Sequence, residues 1–281
     1  MNKEIFVGII YHYCSPEAFI SIAKNKKLWL SATNNMNDSA EGVWLIETLK
    51  KVLSINVNSI NRSSRDYIYN HLFLNNNIKF ISCFSKENDL LSQWRAYAQD
   101  GEGVAIGFDE DKFELSSGFA SNHPDPKESI KINDVLYLNN VELEAAIIQI
   151  LRKHGIILSD GKDEISSEML VKLSAELSFL STIVKNVSFK EEKEKRITYS
   201  TLVMGNGEDN STVILYPFGE MHYRISGSFL TSYFEFGFKN DAIVETIRGP
   251  KNKFSQYDIE TFMGLNGLGL ARAHRSTATY R

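Results

Sequence analysis

The sequence predicts an α+β fold, with mixed, mostly antiparallel sheets and flanking helices, and three observations predict it. Short runs rich in β-branched and aromatic residues recur along the chain, stretches with apolar residues three and four apart stand between some of them, and from Arg196 onward strands follow one another directly. Nothing among the 281 residues reads as a linker, which gives one domain over 1–281 with a helical insertion around 140–186.

The first strand lies in 4–13 and ends on Tyr11-His12-Tyr13. Ser15 is a natural N-cap with Pro16 at the first helical position, and Phe19, Ile22 and Ala23 supply the buried stripe of a helix that stops in the basic turn 24–27. Leu28-Trp29-Leu30-Ser31 is a second strand, followed by a polar island, 34–41, of residues suited to tight turns. Helices are expected over 43–55 and 61–75, with a turn at 75–77, and a strand over 78–85. Helical spacing over 90–98 closes at Asp100-Gly101 before the strand 103–108. Residues 109–135 read as irregular, 135–138 as a short strand and 140–154 as an amphipathic helix. A clearer helix, 164–186, has Leu170, Leu173, Leu177 and Leu180 on one face and is expected to pack on the sheet. Strands then follow at 196–204, 211–217, 221–226, 232–238 and 242–247, with a hairpin turn at Gly205-Asn206-Gly207, a helix near 255–263 and a tail strand.

An apolar share of 43% with 23% charged and 11% aromatic residues marks a chain able to fold around a core. The formal charge of −4 removes the overall basic footprint of a general nucleic-acid binder. The basic end, with Arg272, His274, Arg275 and Arg281, is left as a local face or a docked tail. Cys14 and Cys83 stand far apart in apolar runs, as reduced core thiols do. There is no apolar run of about 18 residues for a membrane span. Residues 1–5 lack a secretory pattern, so a cytoplasmic location with no membrane partner is expected. The six histidines and two cysteines show no metal-ligand spacing, and neither a nucleophile elbow nor a P-loop is present.

Four islands remain as candidates for chemistry. His12 between two tyrosines at a strand end is either a satisfied core histidine or a hydrogen-bond donor in a cleft. Residues 37–41, Asn37-Asp38-Ser39-Ala40-Glu41, read on their own as a capped turn with Glu41 in the first turn of the following helix. Trp94 and Tyr97, three apart on one helix face, are core or a stacking surface. Residues 189–196 are either a helix end laced with i,i+4 ion pairs, or an extended segment in which Glu192, Glu194 and Arg196 share a face.

In order, Tyr11-His12-Tyr13, Leu28-Trp29-Leu30-Ser31 with residues 36–41, Ile81-Ser82-Cys83-Phe84-Ser85, Trp94-x-x-Tyr97 and Gly103–Phe108 resemble the bacterial domain-of-unknown-function family 2971 (DUF2971). Phe189-Lys190, Glu192-x-Glu194-x-Arg196, Tyr233-Phe234-Glu235, Ile247-Arg248-Gly249-Pro250 and the closing 276–281 continue the resemblance over nearly the whole chain. Ser39 and Lys195 depart from it, standing where the family tends to have proline and an aromatic residue. A more distant layout, with Tyr-His ending the first strand, Ser on the second and a late Glu on a strand edge, is similar to that of ADP-ribosyltransferase-like proteins.

That likeness implies a split-sheet cleft and NAD as substrate. His12 would hold a ribose hydroxyl, Tyr97 or Trp94 would stack on nicotinamide, and Glu192 or Glu194 would face the oxocarbenium-like state. Tyr11, Tyr13, Ser31, Asn37, Asp38 and Arg196 would complete the NAD-binding surface. The implied roles are an ADP-ribosyltransferase or NAD glycohydrolase, among them bacterial toxins or anti-phage defence effectors with a macromolecular acceptor and a neutralising or defence-system partner protein. The alternative is a non-catalytic nucleotide- or protein-binding module of the same fold.

Overall fold

Local chemistry fixes where the elements start and stop in the computed structural model, which describes residues 8–33, 39–56, 62–73, 77–156, 166–205 and 211–279. The chain runs β1 (Ile9–Cys14), α1 (Pro16–Asn25), β2 (Lys27–Ala32), α2 (Ser39–Asn56), α3 (Arg62–Phe73), β3 (Asn77–Ser85), α4 (Leu91–Tyr97) and β4 (Val104–Asp109). It continues through α5 (Pro126–Ser129), β5 (Ile130–Asp134), β6 (Leu136–Leu138), α6 (Asn140–Lys153), α7 (Ser167–Ile183), β7 (Val184–Asn186) and β8 (Glu194–Gly205). It ends with β9 (Thr212–Leu215), β10 (Met221–Ser226), β11 (Phe229–Gly237), β12 (Ile243–Arg248), α8 (Gln256–Leu265) and β13 (Arg272–Arg275). Ser15 caps α1 by accepting from the Ala18 amide, and Lys26, in the left-handed region at φ 54°, ends it. Asn139 and Glu142 form a capping box on α6.

Among the described residues, eleven strands make one sheet in the order β10-β11-β2-β3-β1-β4-β12-β13, with β8 also on β3 and β5 and β9 on β8. All of its pairs are antiparallel except β12 with β13; a separate pair, β6 with β7, is parallel. The fold is therefore α+β with a mixed, mostly antiparallel sheet.

Strand β3 decides the site. Its pairing with β8 runs from Asn77 to Ser85, so β1 and β2 must share the other edge. β2 meets that edge at Phe80 and Ile81, and β1 meets it at Ser85. Between those points β1 and β2 diverge, and a hollow opens along Ser82 to Phe84.

The buried apolar residues of the described chain form three clusters, the smallest of which joins Tyr11, Tyr13, Ala105 and Ile247 of the sheet to Trp94 and Ala98 at α4. In one of the two larger clusters, Ile10, Phe19, Leu30, Phe80, Phe84, Phe108 and Phe234 pack between the sheet, α1 and α8. In the other, Leu45, Leu49, Ile68, Leu143, Ile147, Leu173 and Leu177 join α2, α3, α6 and α7. Helix α7 thus packs chiefly on other helices, whereas the sequence placed it on the sheet; Lys79 of β3 reaches it at Ser178 and Arg196 of β8 at the Thr182 carbonyl.

Residues 109–135 are not irregular throughout, since they hold α5 and β5, and β5 lies on β8 with Ile130 opposite Tyr199. Its five residues, Ile130 to Asp134, begin with an apolar–polar alternation too short to stand out in the sequence, and pairing to β8 supplies the order. Segment 189–196 is neither simple alternative. A 3₁₀ turn spans Val187–Glu192, Lys193 turns left-handed at φ 43°, and β8 begins at Glu194. The expected turn at Asn206 and Gly207, strand residues 4–7 and turn residues 75 and 76 lie outside the described residues.

Candidate functional site

The hollow between β1 and β2 is a cleft of about 510 Å³, a size in the range of about 300–1,000 Å³ usual for small-molecule sites. Tyr11, His12 and Tyr13 from β1, Ser31 from β2, Tyr97 from α4, and Glu192 and Glu194 all line it. Residues from both halves of the chain therefore meet there.

His12 sits where the β3 edge lacks a strand neighbour, and its Nδ1 lies 2.9 Å from the Cys83 carbonyl oxygen. A carbonyl can only accept, so Nδ1 carries the proton and Nε2 of the neutral ring is an acceptor. Burial pushes the imidazole pKa down and outweighs the Cys83 carbonyl, which raises it, so the ring is neutral at physiological pH. The sequence anticipated a donor toward the ligand; the tautomer makes His12 an acceptor there.

The flanking tyrosines spend their hydroxyls inside the protein. Tyr11 reaches across Gly107 of β4 to donate to Glu245 of β12 at 2.5 Å, the three residues being in register. A Cβ on Gly107 would stand 2.7 Å from the Glu245 side chain and 3.1 Å from the Tyr11 ring, so glycine leaves the room for that bond. Tyr13 donates to the Glu87 carbonyl at 2.8 Å and accepts from the Leu90 amide. Burial pushes both phenols above their ordinary pKa, with Glu245 adding to the rise in Tyr11. These two rings wall the cleft, but their hydroxyls are fixed in the structure.

Trp94 is not on the cleft. It is 0% exposed, packs edge-on against Tyr13 at 4.8 Å and donates from Nε1 to Asp89 at 2.7 Å. Of Trp94 and Tyr97 it is Tyr97, 42% exposed, that lines the opening. Asp89 also binds the Ser276 hydroxyl and the Thr277 amide and hydroxyl, so the chain's last strand-side turn holds the start of α4 in place. Burial raises the Asp89 pKa, but these hydrogen bonds outweigh it and hold it below the ordinary carboxylate value.

The two glutamates reach the cleft wall as members of a buried charge cluster. Glu194 takes Arg196 Nε at 2.7 Å and Nη2 at 3.1 Å and also binds Lys185 at 3.0 Å, while Glu192 binds Lys185 at 2.7 Å. Arg196 further donates to the Thr182 carbonyl. Burial pushes the Glu194 carboxyl up, but Arg196, Lys185 and the Cys83 side chain outweigh it and keep the group ionised. Arg196, expected on the cleft surface, is itself buried behind the acids and does not line the cleft. Asn37 and Asp38 lie outside the described residues.

The sequence reading missed Lys185, which sits between Val184 and Asn186 with no pattern to mark it, and the far wall of the cleft. There Trp29, Arg224, Ser226 and Thr231 line the opening. His222, Arg224 and Ser226 alternate with Tyr223 and Ile225, a period-two signal that could have marked one polar face. Arg224 donates from Nη2 to Ser31 Oγ at 3.1 Å and lies over the Trp29 ring at 5.4 Å. Ser82 Oγ, Thr231 Oγ1 and Arg224 Nε are buried and find no hydrogen-bond acceptor or donor among the described residues.

The described residues include no group of three or more His, Cys, Asp or Glu placed to hold a metal ion. No helix among them is long and apolar enough to cross a membrane. No curated protein and no solved structure matches the chain. Residues 93–197, which run from α4 into β8 and carry Tyr97, Glu192 and Glu194, match the family model described as a protein of unknown function, DUF2971.

Proposed function

We propose that the cleft binds NAD or a closely related nucleotide and breaks the bond between nicotinamide and ribose, as an ADP-ribosyltransferase-like or NAD glycohydrolase-like enzyme. The observation that carries this reading is convergence: His12, Ser31 and Tyr97 share one hollow with Glu192 and Glu194. Neutral His12 offers Nε2 to a ribose hydroxyl, and the half-exposed Tyr97 ring offers a face to the nicotinamide. As the C–N bond lengthens, its electron pair leaves with nicotinamide and positive charge spreads over the ribose. A fixed carboxylate facing that charge lowers the barrier, as it does in glycoside hydrolysis. Water, or a nucleophile on an acceptor molecule, then bonds to the ribose carbon and gives up a proton.

Purified protein incubated with NAD should release free nicotinamide, followed by chromatography. Glu192→Gln with Glu194→Gln should abolish release; Glu192→Gln alone, which keeps the Arg196–Glu194 pair, controls for loss of fold by circular dichroism. Wild-type protein that releases no nicotinamide under any acceptor condition would end the proposal.

One observation favours a second reading, a nucleotide-binding module without turnover. Lys185 and Arg196 balance the two carboxylates, and a compensated anion stabilises an oxocarbenium-like state less than a bare one. Tight ADP-ribose binding without nicotinamide release is the outcome this reading expects.

A further inference from the structure

The end of the cleft opposite the glutamates has its own chemistry. β10, β11 and β2 pair in register, with Arg224 opposite Thr231 and Tyr233 opposite Ser31. Period two therefore puts Trp29, Ser31, Arg224, Thr231 and Tyr233 on one face, while Leu28, Leu30, Phe234 and Phe236 enter the core from the other. Arg224 is held from two sides, by its bond to Ser31 and by the Trp29 ring beneath it. Among the described residues no carboxylate pairs with it. Glu235 on the same face is taken by Lys27, and the acids of the cleft, Glu192 and Glu194, are bound to Lys185 and Arg196. Burial accordingly pulls the guanidinium pKa down from its ordinary value, with only Tyr233 opposing.

Thr231 is 2% exposed, lines the cleft, and its hydroxyl has no hydrogen-bond partner among the described residues; the same holds for Arg224 Nε. Buried polar atoms are nearly always satisfied, so an orphan hydroxyl beside a guanidinium that lacks both a carboxylate and a partner for its Nε points to a ligand group that completes both. The Ser31 hydroxyl accepts from Arg224 and keeps its own hydrogen to donate.

We propose that Arg224, Ser31 and Thr231 form an anion subsite that holds a phosphate group of the cleft ligand. A planar guanidinium fork with two hydroxyl donors matches the several acceptor oxygens and the charge of a phosphate. This deepens the nucleotide reading above by naming the group that anchors the ligand, and it places the phosphate at the β10–β11 end, away from the glutamates.

Calorimetric titration tests it with ADP-ribose and inorganic pyrophosphate as phosphate probes and adenosine as a phosphate-free one. Arg224→Gln should weaken ADP-ribose and pyrophosphate about 10- to 100-fold, the loss of a charge-assisted contact, and leave adenosine unchanged. Thr231→Val, nearly isosteric and suited to a strand, should weaken the phosphate probes while raising Tm, because it removes a buried unpaired hydroxyl. That paired signature keeps the test decisive even where Arg224→Gln fails to fold. Failure of wild-type protein to bind either phosphate probe, or equal losses for ADP-ribose and adenosine, overturns the subsite. Arg224-dependent ADP-ribose binding without nicotinamide release retains the subsite and removes the cleavage reaction. Nicotinamide release with KM for NAD unchanged in Arg224→Gln does the reverse.

Discussion

His12 illustrates how a residue's role is set by what its backbone surroundings lack. An imidazole at a strand end is common, but here it answers the Cys83 carbonyl at the one stretch of β3 edge that neither β1 nor β2 covers. The sequence could name the histidine and could not name its tautomer, because the carbonyl that fixes it comes from a strand some seventy residues on. Lys79 is a second case. Burial against α7 pulls its pKa down to about 7, and its ammonium reaches the Ser178 backbone carbonyl and the Ser181 hydroxyl. Its folded pKa lies below the unfolded value of about 10.4, so between those limits the unfolded chain binds more protons. This group's contribution to stability should therefore rise with pH from about 7 to about 10 and stay flat below 7. Urea unfolding of wild type and Lys79→Met between pH 6 and 10 measures it; the variant should lose that part of the slope, and parallel profiles would contradict the assignment.

At the scale of elements, α4 is seven residues long and has no side-chain N-cap, so its position depends on what holds it. Asp89 does this by joining Trp94 to Ser276 and Thr277, which ties the helix bearing Tyr97 to the turn after β13. Asp89→Ala removes all of these bonds and leaves the buried Trp94 N–H unpaired. A loss of about 1–3 kcal/mol is expected by denaturant unfolding, with faster hydrogen exchange at the Thr277 amide and at α4. Unchanged exchange at Thr277 would mean that the tail is held by other contacts. The helix itself was legible from Leu91, Trp94 and Tyr97; its anchor was not, since Asp89 and Ser276 are far apart in the chain and neither has a local pattern. β5 was missed because its alternation is brief and its order comes from distant pairing with β8, with Ser116 and Gly118 bonded on its other side.

The whole molecule keeps its helical core apart in function from the two clusters on the sheet. Ile22 and Phe84 of one sheet cluster and Tyr11 of the other line the cleft, while Leu45, Leu143, Leu173 and Leu177 bind the four helices to one another and do not line it. Leu173→Ala should cost about 2–5 kcal/mol, as buried leucine truncations do, and leave the affinity of the cleft for ADP-ribose within about twofold of wild type. A thermal melt and a binding titration on the same sample check both halves, and a parallel loss of affinity would show that the helical unit shapes the cleft. The exception to this separation is the segment that follows α7, where Lys185 leaves the helical unit to join Glu192 and Glu194.

The sequence by itself determined the α+β class, most element positions, the folding of the chain around an apolar core, and the islands holding His12, Ser31, Tyr97, Glu192 and Glu194. These are local properties: periodicity, capping and turn chemistry act over a few residues. Only the tertiary structure decided that β1 and β2 share one edge of β3 and so open a cleft, that Trp94 and Arg196 are buried behind it, and that Lys185 and Arg196 compensate the glutamates. It also decided that Arg224 stands on the cleft wall without a carboxylate among the described residues. Each of these depends on which distant strand supplies the neighbouring edge or counter-charge, and strand pairing carries that information across the chain where short-range spacing cannot.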